Sequence, residues 1–118
     1  MNFFLKSLMV LIINVSIFSY SFAEITVVVK PSKGKPAEII TIEGKGFKTQ
    51  EEIEIVFVVS EDEKAVLGTE RDDVIKTDSN GNFLIETGIP ITAKPGNHKI
   101  EISGNKGSFI ETYVEVVP

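Results

Sequence analysis

The chain has 118 residues, with 12 Lys or Arg against 17 Asp or Glu, a formal net charge of −5, one histidine and no cysteine. That balance excludes a phosphate-backbone binder, which needs clustered Lys and Arg; here the lysines are scattered among glutamates and Arg71 is the single arginine. One imidazole excludes a zinc site built from several histidines, and with no disulfide the fold must be held by packing alone.

Residues 1–23 are apolar, carry only Lys6 as a charge, have an apolar run from Leu8 to Phe18 and end in Ser21-Phe22-Ala23. This is the three-region pattern of a secretory signal peptide, with cleavage expected before Glu24. Asn14, Ser16, Ser19 and Ser21 break the apolar stretch early, which disfavours an uncleaved membrane anchor, and no cysteine follows it to take a lipid. Without Lys6 the remainder, 24–118, holds 11 basic and 17 acidic residues, a net −6, and is long enough for one domain with its own core. An exported chain that needs no disulfide points to a prokaryotic source.

From Ile25 to Val29 the chain is β-branched throughout and stops at Lys30-Pro31, so a first strand at a sheet edge is predicted. Ser32 to Pro36 has the composition of a turn, and Glu38 to Glu43 predicts a second strand with Ile40 and Ile42 on one face. In the following Gly44-Lys-Gly-Phe47 the glycines permit close backbone approach, and Phe47 is large enough to plug one end of a small core. Lys48 to Glu51 is a polar connection. Glu52 to Val59 then alternates with period two: Ile53, Ile55, Phe57 and Val59 face inward and Glu52 and Glu54 outward, while Val56 and Val58 suggest that the second half is covered on both faces.

The alternation fails from Ser60 to Asp73, which predicts a long loop with at most one short strand near Ala65-Val-Leu67. Val74 to Lys76 returns to strand character, Asn80-Gly81 predicts a β-hairpin turn, and Phe83 and Ile85 share the next inward face. Pro90, Pro95 and Gly96 bracket a connection to a strand in which His98, Ile100 and Ile102 lie together, with Lys99 and Glu101 opposite. After Gly104-Asn-Lys-Gly107, a final strand from Ser108 to Val117 sets Ile110, Val114 and Val116 against Phe109, Tyr113 and Val117. Seven strands without a helical period predict an all-β, single-domain antiparallel β-sandwich over 24–118. The core should include Ile40, Ile42, Phe47, Ile55, Phe57, Phe83, Ile85, Ile100 and Val114.

Pro31, Ile39-Ile-Thr-Ile-Glu43, Gly44-Lys-Gly-Phe47, Asp78-Ser-Asn-Gly-Asn-Phe83, Pro95-Gly-Asn-His-Lys-Ile100 and Val116-Val-Pro118, in this order, resemble a bacterial or archaeal immunoglobulin-like module of the IPT/TIG-like kind. The resemblance implies a seven-stranded immunoglobulin-like sandwich that is non-enzymatic and serves as a spacer or binding unit of cell-surface, adhesive or polysaccharide-handling proteins. His98 stands where that pattern more often has tyrosine. The Asp78 to Phe83 and Pro95-Gly96 segments are also similar to the carboxypeptidase regulatory-like, transthyretin-type sandwich, and Gly44-Lys-Gly-Phe47 favours the first family.

No catalytic, cofactor or metal residue is assigned. Asp78, Asn80 and Asn82 have the alternate spacing of a calcium loop but lack its sixth-position glycine and twelfth-position carboxylate, which favours a turn. Glu61, Asp62, Glu63, Asp72 and Asp73 are expected to be a solvated charged loop rather than a calcium site. His98 shares a face with Ile100 and Ile102 and no nucleophile motif accompanies it, so a packing histidine is expected. Phe109 and Tyr113 are expected under loops of the same chain, with a partner contact as the rarer outcome. The candidate partner contacts are Glu61, Asp62, Glu63, Val66, Leu67, Arg71, Asp72, Asp73, Phe109 and Tyr113, because charged loops on rigid β-scaffolds commonly carry binding. The expected function is an exported, non-catalytic binding or adhesion module, secreted, periplasmic or on the cell surface. Its partner would be an envelope protein or polysaccharide; the alternative is a structural spacer or assembly subunit. Unpaired edge strands offer a route to self-association.

Overall fold

A computed structural model describes residues 24–68 and 74–118. The expected signal peptide and the candidate residues Arg71, Asp72 and Asp73 lie outside the described residues. Among those described there are nine strands and no helix. They are β1 (Thr26–Lys30), β2 (Lys33–Gly34), β3 (Ile39–Lys45), β4 (Glu52–Val58), β5 (Lys64–Leu67), β6 (Ile75–Lys76), β7 (Phe83–Gly88), β8 (Gly96–Gly104) and β9 (Phe109–Val116). One sheet has the order β1-β3-β7 and the other β2-β9-β8-β4-β5, with β6 also paired to β4.

Period-two alternation turns one face of each sheet toward the other, and the two inner faces share a single apolar cluster. Ile40 and Ile42 of β3 are fully buried, as are Ile55 and Phe57 of β4 and Ile100 and Ile102 of β8. All nine residues expected in the core are there, joined by Val29, Ile53, Leu67, Ile75, Ile89, Ala93, Ile102 and Val116. Gly44 lies opposite Phe83 in the β3–β7 ladder, and the Phe83 ring occupies the space a Cβ at Gly44 would need. Phe47 meets that ring edge-on, with centroids 5.2 Å apart and planes at 64°. The Gly44-Lys-Gly-Phe47 unit therefore closes one end of the core, as its composition predicts.

Several expectations are corrected. Ser32 to Pro36 is more than a turn: the chain leaves the first sheet after β1 and enters the second, where β2 pairs in parallel with β9, Lys33 opposite Glu115 and Gly34 opposite Val116. The arrangement is thus neither seven-stranded nor wholly antiparallel. Asn80-Gly81 does not close a hairpin, because β6 pairs with β4 in one sheet and β7 with β3 in the other. The turn is a corner between sheets. Asp78 Oδ1 accepts from the amides of Asn80 (2.8 Å) and Asn82 (2.9 Å), and Gly81 at φ 77° takes the left-handed conformation while its carbonyl accepts from Phe47 N (3.1 Å). Val56 and Val58 are half-buried on the outer face of β4, opposite exposed Val66 and Lys64, so no layer among the described residues covers them. β1 is a sheet edge, as expected.

Pro36 and Ala37 occupy the central positions of a turn closed by Glu38 N to Lys35 O at 3.1 Å, with Ala37 at φ 71°. Proline first and a positive φ second is the type II pattern, whose second position favours glycine. Ala37 is exposed, and its one tie to the core is main-chain, its amide donating to Ile89 O at 2.8 Å, a bond that glycine would keep. Ala37→Gly should therefore raise stability by about 0.5 to 1 kcal/mol, the relief of left-handed strain exceeding the added unfolded-state entropy. A urea midpoint that falls instead would show that the strain is already relieved.

Candidate partner-binding face

The predicted contacts separate once their strands are placed. Ser60 to Glu63 is a tight turn, with the amides of Val59 (2.9 Å) and Ser60 (3.1 Å) donating to Glu63 O, and it joins β4 to β5 as a hairpin. The one short strand expected within Ser60 to Asp73 is β5, and residues 69–73 lie outside the described residues. Glu61, Asp62 and Glu63 are exposed, and Glu63 Oε2 accepts from the Thr92 hydroxyl at 2.7 Å. Leu67 is a correction: it lies opposite Ile55 on the inward side of β5 and is buried, since alternation along β5 turns only Lys64 and Val66 outward. Val66 is 69% exposed.

Phe109 and Tyr113 are also corrected. They are 54% and 57% exposed, and no loop among the described residues covers them. Both lie on the outer face of β9 with Glu111 between them, about 13 Å apart along an extended strand. Across the ladder Phe109 faces Ser103, Glu111 faces Glu101 and Tyr113 faces Lys99. The two opposed carboxylates would repel, and each has a lysine: Lys99 Nζ is 3.5 Å from Glu111 Oε2 and Lys64 Nζ is 3.3 Å from Glu101 Oε1. The result is a sheet face with aromatic side chains at its β9 margin, a charge-balanced centre and Val56 and Val66 at its far side. A recess of about 1330 Å³ follows β7, with Ile39, Glu43, Leu84, Glu86, Val74 and Lys76 among its lining. It adjoins Gly68 and Val74, the two ends of the stretch outside the described residues.

Two polar side chains that sequence reasoning treated lightly are buried. His98 is 8% exposed, stacks on Phe57 (5.1 Å, 25°), and has Val58 O 2.9 Å from Nδ1 and Lys94 O 2.7 Å from Nε2. Both ring nitrogens are thus occupied by main-chain carbonyls, as befits a packing histidine. Glu51, expected in a polar connection, is fully buried. Its carboxylate accepts from Lys48 N (3.1 Å), Lys106 N (3.0 Å), Ser108 N (3.1 Å) and Ser108 Oγ (2.6 Å). Burial works to raise its pKa, but the Ser108 hydroxyl and amide and the Lys48 and Lys106 amides outweigh it and hold the carboxyl below its ordinary value. A carboxylate saturated by four protein donors ties the β8–β9 turn to the entry of β4; it has no free face for a substrate. Gly104 is the only trace of this in the sequence, because a Cβ there would collide with the Glu51 carboxylate.

Among the described residues no three His, Cys, Asp or Glu side chains are grouped to hold a metal ion. Asp78 spends its carboxylate on its own turn.

The fold and this face define the class: an all-β protein of two sheets around one core, with an exposed aromatic margin. No protein-family model matches the chain, and no curated protein matches its sequence. Among solved structures it is similar to macromomycin, with a TM-score of 0.56 and 10% identity over 80% of this chain and 100% of macromomycin. It also has a looser likeness to Spo0M, sporulation control protein, from Bacillus subtilis, with a TM-score of 0.42 and 15% identity. That match covers 79% of this chain and 47% of Spo0M. At these identities the likeness to macromomycin concerns the fold alone.

Proposed function

We propose that the chain is an exported, non-catalytic binding module of the cell envelope, of immunoglobulin-like and specifically IPT/TIG-like kind, which recognises a protein or polysaccharide through the outer face of β9. The observation that carries this reading is the pair Phe109 and Tyr113, each more than half exposed on one face of a strand that the β8 ladder holds rigid. Exposed aromatics on a fixed sheet offer large contact area at little entropic cost, and such side chains dominate the energetics of interfaces. A three-stranded sheet facing one with order β2-β9-β8-β4-β5 supports the immunoglobulin-like assignment. A non-catalytic role is supported by His98, whose ring nitrogens are both engaged by carbonyls, and by Glu51, whose oxygens are saturated.

The test compares the full chain with the Phe109→Ala/Tyr113→Ala double variant for retention on a cell-envelope preparation. Both side chains are exposed, so the variant should keep its unfolding free energy, read from urea denaturation, to within about 0.5 kcal/mol. Loss of two aromatic anchors should weaken retention by about tenfold or more. Equal retention of the two proteins would refute the reading and favour a spacer or assembly subunit.

A further inference from the structure

The hydrogen bonds of β9 alternate between its two sides. Gly104 N donates to Ser108 O at 2.8 Å, which sets the even-numbered residues of β9 toward β8 in the antiparallel ladder. The odd-numbered residues turn their amides and carbonyls to the opposite side. Two of them show it directly: Glu115 N donates to Ser32 O at 3.0 Å and Val117 N to Gly34 O at 2.9 Å, both next to β2. β2 is only two residues long and reaches no further along β9 than Glu115 and Val116. β1 packs against β9, but its ladder is with β3 alone. Phe109, Glu111 and Tyr113 therefore present three amides and three carbonyls to an edge that, among the described residues, has no main-chain partner. The same three residues carry the exposed side chains of the aromatic margin.

We propose that this edge of β9 binds an extended peptide segment of a partner protein, which adds as an antiparallel strand beyond β2. The inference rests on the binding-module reading and names its ligand class. Main-chain groups unpaired at alternate residues call for an extended backbone, since only that presents donors and acceptors at the matching two-residue repeat. In the antiparallel register, the residues opposite Phe109, Glu111 and Tyr113 exchange both hydrogen bonds with them and share their outer face. The side-chain requirement follows: apolar, basic, apolar at alternate positions, because Glu111, which Lys99 meets from the β8 side at 3.5 Å, stays exposed to a second cation from the open edge of a chain of net charge −5. A second copy is a poorer occupant, because the two-fold register that uses all three pairs sets Glu111 against its own counterpart. A polysaccharide has no amide ladder to match the edge.

The test uses a short blocked peptide in which threonine alternates with valine, lysine, valine, added to the full chain. N-methylation of its threonine amides leaves the pairing side intact and prevents self-assembly; N-methylation of the valine and lysine amides removes the pairing side. The first peptide should slow amide exchange at Phe109, Glu111 and Tyr113 by about tenfold or more at saturation, and the second should not bind. Glutamate in place of the lysine should weaken binding by about fivefold, and Glu111→Lys should reverse that preference. The inference is overturned if the methylation frame makes no difference, if protection appears at β5 or β7 instead, if the chain pairs with itself at β9, or if no peptide binds. Retention on envelope material through Phe109 and Tyr113 without protection of the three amides would remove the strand inference and leave the binding-module reading. Protection of the three amides without retention would do the reverse.

Discussion

Replacing Glu51 with glutamine should lower stability by about 3 kcal/mol although the side chain keeps its shape, because a glutamine must turn an NH2 group toward donors. Oε1 accepts from Lys48 N and the Ser108 hydroxyl, and Oε2 from the amides of Lys106 and Ser108. An NH2 in place of Oε2 would face the amides of Lys106 and Ser108, and in place of Oε1 would face Lys48 N while the Ser108 hydroxyl turns to accept from it; in either case the charged acceptor is lost. The same pocket also holds Thr77, whose hydroxyl accepts from Glu51 N (2.8 Å) and donates to Lys48 O (2.6 Å). Three connections between strands would loosen together. The effect depends on pH in a fixed direction: the folded-state pKa lies below the ordinary value of 4.5, so the carboxylate's contribution is present above that pH and is lost as pH falls through the folded value. Urea midpoints of the two proteins should differ widely near neutrality and converge in acid. A gap that stays constant down to the acid limb would mean that shape, not charge, holds this corner.

Phe47→Ala should cost about 3 to 5 kcal/mol, the range for removing a buried aromatic ring. Phe47 is 6% exposed, and its ring meets Phe83, which in turn fills the space left by Gly44. Its backbone is also fixed, since Phe47 N donates to Gly81 O and a Cβ at Gly81 would strike Phe47 O. The chain at this end is therefore poorly placed to collapse into the cavity, which puts the expected cost toward the upper end of the range. An unchanged denaturant midpoint would show that the ring does not close the core.

The alternation of Ile53, Ile55 and Phe57, and of His98, Ile100 and Ile102, made the inward faces legible, because a side-chain period of two is a local property of an extended chain. The candidate face was legible only in part. Phe109 and Tyr113 could be assigned to one side of a strand, but whether a loop covers that side depends on segments far away in sequence. Leu67 was misplaced for the converse reason: within a charged stretch its apolar character signals little until pairing with Ile55 shows which way it turns.

The residues alone thus determined that the chain is all-β, where most of its strands run and which apolar side chains share each face. These follow from local chemistry: β-branched runs, glycine and proline at turns, and alternation. Tertiary structure alone decided that Glu51 is buried, that Asn80-Gly81 turns between sheets rather than within one, and that β2 stops after two residues, leaving the outer edge of β9 unpaired. Each of these depends on hydrogen bonds between groups remote in sequence, such as Glu51 with Ser108, Phe47 with Gly81 and Ser32 with Glu115. No local pattern encodes such a bond, because its partner is chosen by how the two sheets meet.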